Sequence, residues 1–240
     1  ELGPGYIRGD GEVVGISFAI DGYEDYFPFA HEQGFNFSKK KVIEFTKKIC
    51  ATESDKIFHN SSYDVGWLTR EGVPINGRII DTMVVAPLID ENQYWYSLNA
   101  LGREYINEGK TEGELNAAAE EWGLDPKAEM WRLPSAYVGT YATQDAALTL
   151  KLWNHFKILL EEQNLWNVFD LEMKVLPVIL AMKQKGVRVD TDRAESLKKQ
   201  LIKREKDIVQ QIKDESGVPE LQLWAANSLA KVFDAMNLTY

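Results

Sequence analysis

Ala136-Tyr137-Val138-Gly139-Thr140-Tyr141-Ala142-Thr143-Gln144-Asp145-Ala146-Ala147-Leu148-Thr149-Leu150 is the stretch whose reading decides the fold. It reads as a helix. Tyr141 and Asp145 are four residues apart, so they share a face one turn from each other. Ala142, Thr143, Ala146 and Ala147 give the pair small neighbours, and Leu148, Leu150, Leu152 and Trp153 anchor the helix further along. A carboxylate on such a face is costly to bury unless it is paired or binds a metal. On this stretch alone Asp145 is as well explained as a favourable charge near a helix start.

Pro134 and Ser135 introduce this helix, which is expected to run to about Leu160. Upstream, residues 1–6 read as a Gly/Pro-rich loop, and Gly9-Asp10-Gly11 as a turn. The β-branched run Val13 to Ile20 predicts a strand buried on both faces. Asp21-Gly22 is a hairpin signal, and Asp25 to Phe29 is the returning strand, with Pro28 at its end or edge. Ser38 is the expected N-cap of a helix from Lys39 to about Ala51. Lys56 to His59 is a short strand that runs into a helix starting near Asn60, which Gly72-Val73-Pro74 ends. Arg78 to Asp81 is another short strand, and Asp81 can cap the helix Thr82 to Leu88. Two further helices span Ser97–Tyr105 and Leu115–Trp122; residues 109–116 are polar and read as a mobile connection.

Strands alternating with helices after a hairpin predict an α/β fold, a mixed sheet flanked by helices. After about Leu165 the pattern becomes all helical. Leu171 to Lys185 is a helix that Pro177 should kink. Thr191 or Asp192 is the expected cap of a long charged helix through about Ser216, and residues 225–236 form a last amphipathic helix. The predicted domains are 1–164 and 165–240.

The net charge of −10, from 27 Lys+Arg against 37 Asp+Glu, argues against a simple polyanion-coating protein. It is compatible with an enzyme that gathers carboxylates around metal ions facing a phosphate. Lys39-Lys40-Lys41, Lys47-Lys48 and Lys198-Lys199 read as solvated helix faces. The single cysteine, Cys50, suits a reducing, intracellular setting. With no run of about 18 apolar residues and no visible signal peptide, no membrane partner is expected.

Asn60 and Asp64 repeat the spacing of Tyr141 and Asp145. Two such carboxylates can converge above the sheet and share divalent ions, with oxygen ligands suited to Mg²⁺ or Mn²⁺. Tyr141 can then orient, or help deprotonate, an attacking water. An N-cap role for Asn60 and a surface position for Asp64 explain the same spacing equally well.

His59-Asn60-Ser61-Ser62-Tyr63-Asp64 resembles the second motif of the proofreading 3′–5′ exonuclease domain of family A (pol I-like) DNA polymerases. Tyr141-Ala142-Thr143-Gln144-Asp145 fits the third motif, Tyr-x-x-x-Asp, of the tyrosine-bearing DEDD subclass. Ile80-Asp81-Thr82-Met83-Val84-Val85-Ala86 is similar to the segment between them. Leu171 to Asp190 resembles the start of the polymerase region, and the opening Gly-rich residues are similar to phage-type members.

The resemblance implies a ribonuclease H-like fold and removal of 3′-terminal nucleotides from single-stranded DNA, with the remainder of a polymerase chain as partner. Two Mg²⁺ or Mn²⁺ ions, about 3.5–4 Å apart in such sites, activate water and stabilise the leaving oxygen. Asp64 and Asp145 are then metal ligands, Tyr141 positions the water, and Asn60 lies near the scissile nucleotide. The family's first motif, Asp-x-Glu, belongs inside a strand upstream of Val13. Asp10-Gly11-Glu12 spells it, but in a Gly-flanked turn, where a letter match is weak. The expectation is therefore a chain truncated before its first motif, with weakened metal binding and impaired activity. The competing readings are a stand-alone RNA or DNA exonuclease of the same superfamily and a non-catalytic DNA-holding domain.

Overall fold

The structure is a computed structural model that describes residues 5–239. The expected loop over residues 1–4 lies outside the described residues. Residues 5–8 are not loop but a single helical turn, α1 (Gly5–Arg8). Tyr6 is buried there, its ring edge-on to Trp67 at 5.9 Å. Gly9, at φ +84°, closes the turn by donating its amide to the Gly5 carbonyl.

The chain continues as β1 (Gly15–Ile20), β2 (Tyr23–Pro28), α2 (Lys39–Cys50), β3 (Lys56–Phe58), α3 (Ser61–Arg70), β4 (Ile79–Asp81) and α4 (Thr82–Ile89). Next come α5 (Leu98–Ile106), α6 (Gly113–Glu121), a 3₁₀ turn at Met130–Arg132, and the 28-residue α7 (Ser135–Glu162). The last helices are α8 (Trp166–Lys185), α9 (Thr191–Ser216) and α10 (Ala226–Ala235).

The architecture is mixed α/β, as the alternating pattern predicts. Among the described residues, however, the expected single sheet is two ladders. β1 and β2 pair antiparallel, from Gly15 opposite Pro28 to Ile20 opposite Tyr23, across the two-residue Asp21-Gly22 turn. β3 and β4 pair in parallel. β1 is only partly buried, not covered on both faces. The reason is its place in a two-stranded ribbon whose strands pack against α7. The long helix also contacts β3, so it serves both ladders.

The largest core cluster joins α4, α5, α7, α8 and β4. Ile80, Val85, Leu101, Leu152, Phe156, Leu160 and Phe169 are almost fully buried in it. Trp153 of α7 stacks on Phe169 of α8 with centroids 5.4 Å apart. Each such side chain contributes about 1.5–3 kcal/mol by leaving water, so α7 is held firmly at its C-terminal half. A second cluster, with Tyr26, Leu115, Leu133 and Val138, holds its N-terminal half. The middle, where Tyr141 and Asp145 lie, is only partly buried.

The chain divides into two compact units after Lys185. Although sequence composition changes at about Leu165, α8 belongs to the first unit because Phe169, Met173, Leu176 and Leu180 sit in its core. It runs through Pro177. In the second unit, Asp190 caps α9 by accepting the Arg193 amide at 2.9 Å, in place of the expected Thr191 or Asp192. Gly217 in the left-handed region ends that helix. Among the described residues no helix is long and apolar enough to cross a membrane.

Candidate active site

The middle of α7 presents Tyr141 and Asp145 on one face, as their spacing predicts. The group that meets them comes from a segment between α5 and α6. Lys110 Nζ donates to Asp145 Oδ2 at 2.5 Å and to the Tyr141 hydroxyl at 3.1 Å. The ammonium also lies 4.9 Å from the centre of the Tyr141 ring. The expected mobile connection is therefore fixed at this point. The Lys110 amide donates to Asn99 Oδ1 at 2.9 Å and the Thr111 amide to Gln144 Oε1 at 2.8 Å. Gln144 Nε2 donates back to the Gly109 carbonyl and to Thr111 Oγ1.

Asp64, in the first turn of α3, faces this cluster electrostatically. Its carboxyl is pushed up to about 7, first by burial and then by the charges of Asp81 and Asp145, against a lowering bond from its own amide. The two predicted carboxylates thus share one field. Asp10, by contrast, pairs with Arg8 at 2.6 Å on a half-exposed surface. The carboxylates that act on Asp64 are Asp81 and Asp145.

Burial also raises the Asp145 carboxyl, against the lowering by its Lys110 bond. For Lys110 burial pulls down, but the bond and charge of Asp145 win and hold the ammonium above its ordinary value. The two groups lie in ion-pair contact, Lys110 Nζ against Asp145 Oδ2. The Tyr141 phenol is raised by burial and by the Asp145 charge, so it stays protonated. Asp145 Oδ1 is buried with no hydrogen-bond partner among the described residues. An unsatisfied buried carboxylate oxygen is costly unless a cation or donor meets it.

Asp81 positions the second half of the site. Its carboxylate accepts the amides of Asn60 at 3.0 Å and Ser61 at 2.7 Å, and caps α4 through Met83 at 2.9 Å. The expected cap of α4 is thus present, and the same side chain also fixes the start of α3. Asn60 stands at the N-cap position with φ 67°, but its side chain makes no cap bond. It is exposed and accepts from Ser62 Oγ at 3.0 Å. His59, beside this junction, bonds Thr82 Oγ1 at 2.9 Å, and burial lowers its imidazole.

The structure therefore brings Tyr141 and Asp145 together and puts Asp64 within electrostatic reach of Asp145. It leaves Asn60 at the rim. Lys110 is the member that sequence patterning misses. Among the described residues no three His, Cys, Asp or Glu side chains are grouped so as to hold a metal ion.

A family model described as 3′–5′ exonuclease matches residues 5–161. A DNA-directed DNA polymerase of Pseudomonas phage M6 is 34% identical over 222 residues, covering 90% of this chain and 33% of the relative. DNA polymerase I of Treponema pallidum is 27% identical over 158 residues, 65% of this chain and 15% of its own length. The chain spans about a third of the first phage relatives it matches. Among solved structures, the POL domain of Pol1 from M. smegmatis, in complex with DNA primer-template and dNTP, aligns with a TM-score of 0.63 at 16% identity. That alignment covers 91% of this chain and 34% of the other. A nuclease in its apo form aligns with a TM-score of 0.51 at 15% identity, covering 69% and 72%. At these identities the two structures speak for the fold alone.

Proposed function

The chain belongs to the 3′–5′ exonuclease family matched by residues 5–161, and from that premise we propose that it is the proofreading domain of a pol I-like DNA polymerase. Its reaction is hydrolysis of the 3′-terminal phosphodiester of single-stranded DNA, inside the cell. The polymerase context is supported by the phage and bacterial relatives, which are DNA polymerases. We assign the fold to the ribonuclease H-like class. By sequence, residues 1–164 are assigned as the exonuclease domain and 165–240 as the helical, thumb-side start of the polymerase region, although its first helix, α8, packs into the core of the first unit. DNA and the rest of a polymerase chain are the partners.

Asp64 and Asp145 are assigned as ligands of the divalent metal, Mg²⁺ or Mn²⁺, on which such exonucleases work. Three features support the assignment. Both offer hard carboxylate oxygens. Asp145 Oδ1 is buried and unpartnered. Asp64 is pushed towards its neutral form by burial and by like charges, a cost that a cation relieves. When bound, the metal supplies a polarised water and neutralises charge on the leaving 3′ oxygen. Tyr141, held protonated, orients that water by hydrogen bonding rather than by taking its proton. Asn60, exposed one turn from Asp64, contacts the terminal nucleotide.

The observation that carries this most is the buried, unpartnered Oδ1 of Asp145, one turn from Tyr141 on the same helix face. One observation favours a non-catalytic, DNA-holding domain instead: Asp145 Oδ2 is already neutralised by Lys110. A labelled single-stranded DNA, incubated with the chain and Mn²⁺, decides between them. Stepwise loss from the 3′ end that disappears in Asp145→Asn is expected. Cleavage from the 5′ end, or 3′ loss that survives Asp64→Asn combined with Asp145→Asn, overturns the assignment. DNA binding with no metal-dependent loss supports the holding domain.

A further inference from the structure

Resting on the metal assignment above, we propose that Lys110 is a gate on the metal position: its ammonium and a divalent cation occupy the Asp145 carboxylate in alternation. Arrival of the cation releases the strap formed by residues 109–111.

The geometry carries this in three steps. Lys110 Nζ uses two of its three N–H donors on Asp145 and Tyr141, the residues assigned to the chemistry. The Lys110 side chain is only 16% exposed, so its contact with Asp145 is largely shielded from water. A divalent ion on the unpartnered Oδ1 and an ammonium on Oδ2 of the same partly buried carboxylate sit a few ångströms apart and repel strongly, so the two cations compete for Asp145. Metal binding there works against the lysine's hold and favours its departure.

The strap is built to be placed and yet to yield. Gly109 is pressed so close to α5 that a Cβ would come within 2.7 Å of Arg103 Nε and 2.9 Å of Asn99 Oδ1. Asn99 and Gln144 then fix the amides of Lys110 and Thr111. These anchors are neutral hydrogen bonds at a partly exposed rim, not buried charge pairs, so they can open without unfolding α5 or α7. Lysine suits the role, since its charge is a compact point on a flexible four-carbon stem. Asp64 and Glu112 add negative potential at the same place, and so draw in whichever cation is present.

Two measurements test the gate. Mn²⁺ is titrated calorimetrically into the wild type, Lys110→Met, and Lys174→Met, an exposed cation on α8 that controls for net charge. A strap closed nine-tenths of the time weakens apparent affinity about tenfold, so Lys110→Met is expected to bind Mn²⁺ about tenfold more tightly. Lys174→Met is expected to match the wild type. In the wild type, Mn²⁺ should also speed hydrogen exchange at the Lys110 and Thr111 amides. Equal or weaker binding by Lys110→Met, an equal gain in Lys174→Met, or undiminished amide protection overturns the gate while leaving the metal assignment standing. Absence of Mn²⁺ binding in all three proteins overturns the metal assignment itself, and the gate with it.

Discussion

Asp81 holds the amide of Ser61 at 2.7 Å, twenty positions back in the sequence. This bond ties the end of β4 to the start of α3, and so sets where α3 presents Asp64. The opposite oxygen of Asp81 takes the amides of Asn60 and Met83. Asp81 is 3% exposed. Bonds from backbone amides to a buried carboxylate are charge-assisted, and losing them leaves three donors without partners. Asp81→Ala is expected to cost about 2–4 kcal/mol in urea unfolding. Asp81→Asn should not be a mild change. If its carbonyl keeps Asn60 and Met83, its NH₂ group faces the Ser61 N–H, donor against donor. A loss of about 1–3 kcal/mol is expected. An unfolding midpoint unchanged in both variants would show that α3 is held by something else.

Asp64 gives a pH dependence whose sign is fixed by its raised carboxyl. The group titrates at about 7 in the folded chain and near the ordinary carboxylate value of about 4 when unfolded. Between these values the folded state binds more protons than the unfolded state. Stability therefore falls as pH rises through this window and stays low above it. Asp64→Asn removes the titration. In metal-free buffer its Tm should exceed that of the wild type at about pH 8, with the difference shrinking as pH falls and vanishing only below about pH 4. A constant offset across this range would contradict the assignment of burial and neighbouring charge as the cause.

Gly66 lies inside α3, where Ala would ordinarily gain about 1 kcal/mol. Here a Cβ would fall 2.2 Å from the Tyr6 ring. Gly66→Ala is expected instead to destabilise by about 1–3 kcal/mol through overpacking. Pairing it with Tyr6→Leu should recover part of the loss, because the ring is the obstacle. Thermal unfolding of the two single variants and the double variant gives the coupling directly. Additive effects would mean that α1 is not seated on α3.

The site was partly legible in the chain itself, and the illegible part has a physical pattern. Tyr141 with Asp145, and Asn60 with Asp64, follow from helical spacing, which is a local property. The cap at Asp81 is also local and follows from the sequence, whereas its reach to Asn60 and Ser61 depends on β3 and β4 pairing in parallel. Lys110 carries no local signal. It lies in a polar run, and its bond to Asp145 spans 35 positions. Gln144, which anchors the strap, lies inside the decisive stretch, but its partner Thr111 is 33 positions away and shows no local signal. The division into two ladders was equally hidden, since hydrophobic runs mark strands but not which of them pair.

Tyr141 separates chemistry from packing most cleanly. Its hydroxyl accepts from Lys110 at 3.1 Å, while its ring receives the same ammonium at 4.9 Å. Tyr141→Phe keeps the ring and its cation–π contact, and removes only the oxygen. The lost bond is one partly exposed hydrogen bond, so stability should change by about 1 kcal/mol or less. If the phenol orients the attacking water, the rate of 3′-nucleotide release in Mn²⁺ should fall about 10²-fold or more. The fall should appear in kcat rather than KM, since the hydroxyl acts on the water and not on DNA binding. Because the phenol is held above its ordinary value by burial and by Asp145, it should not set the pH profile as a base. Tyr141→Phe should therefore keep the profile's shape while lowering its height. A changed shape would make the phenol a proton acceptor, and an unchanged rate would remove Tyr141 from the chemistry.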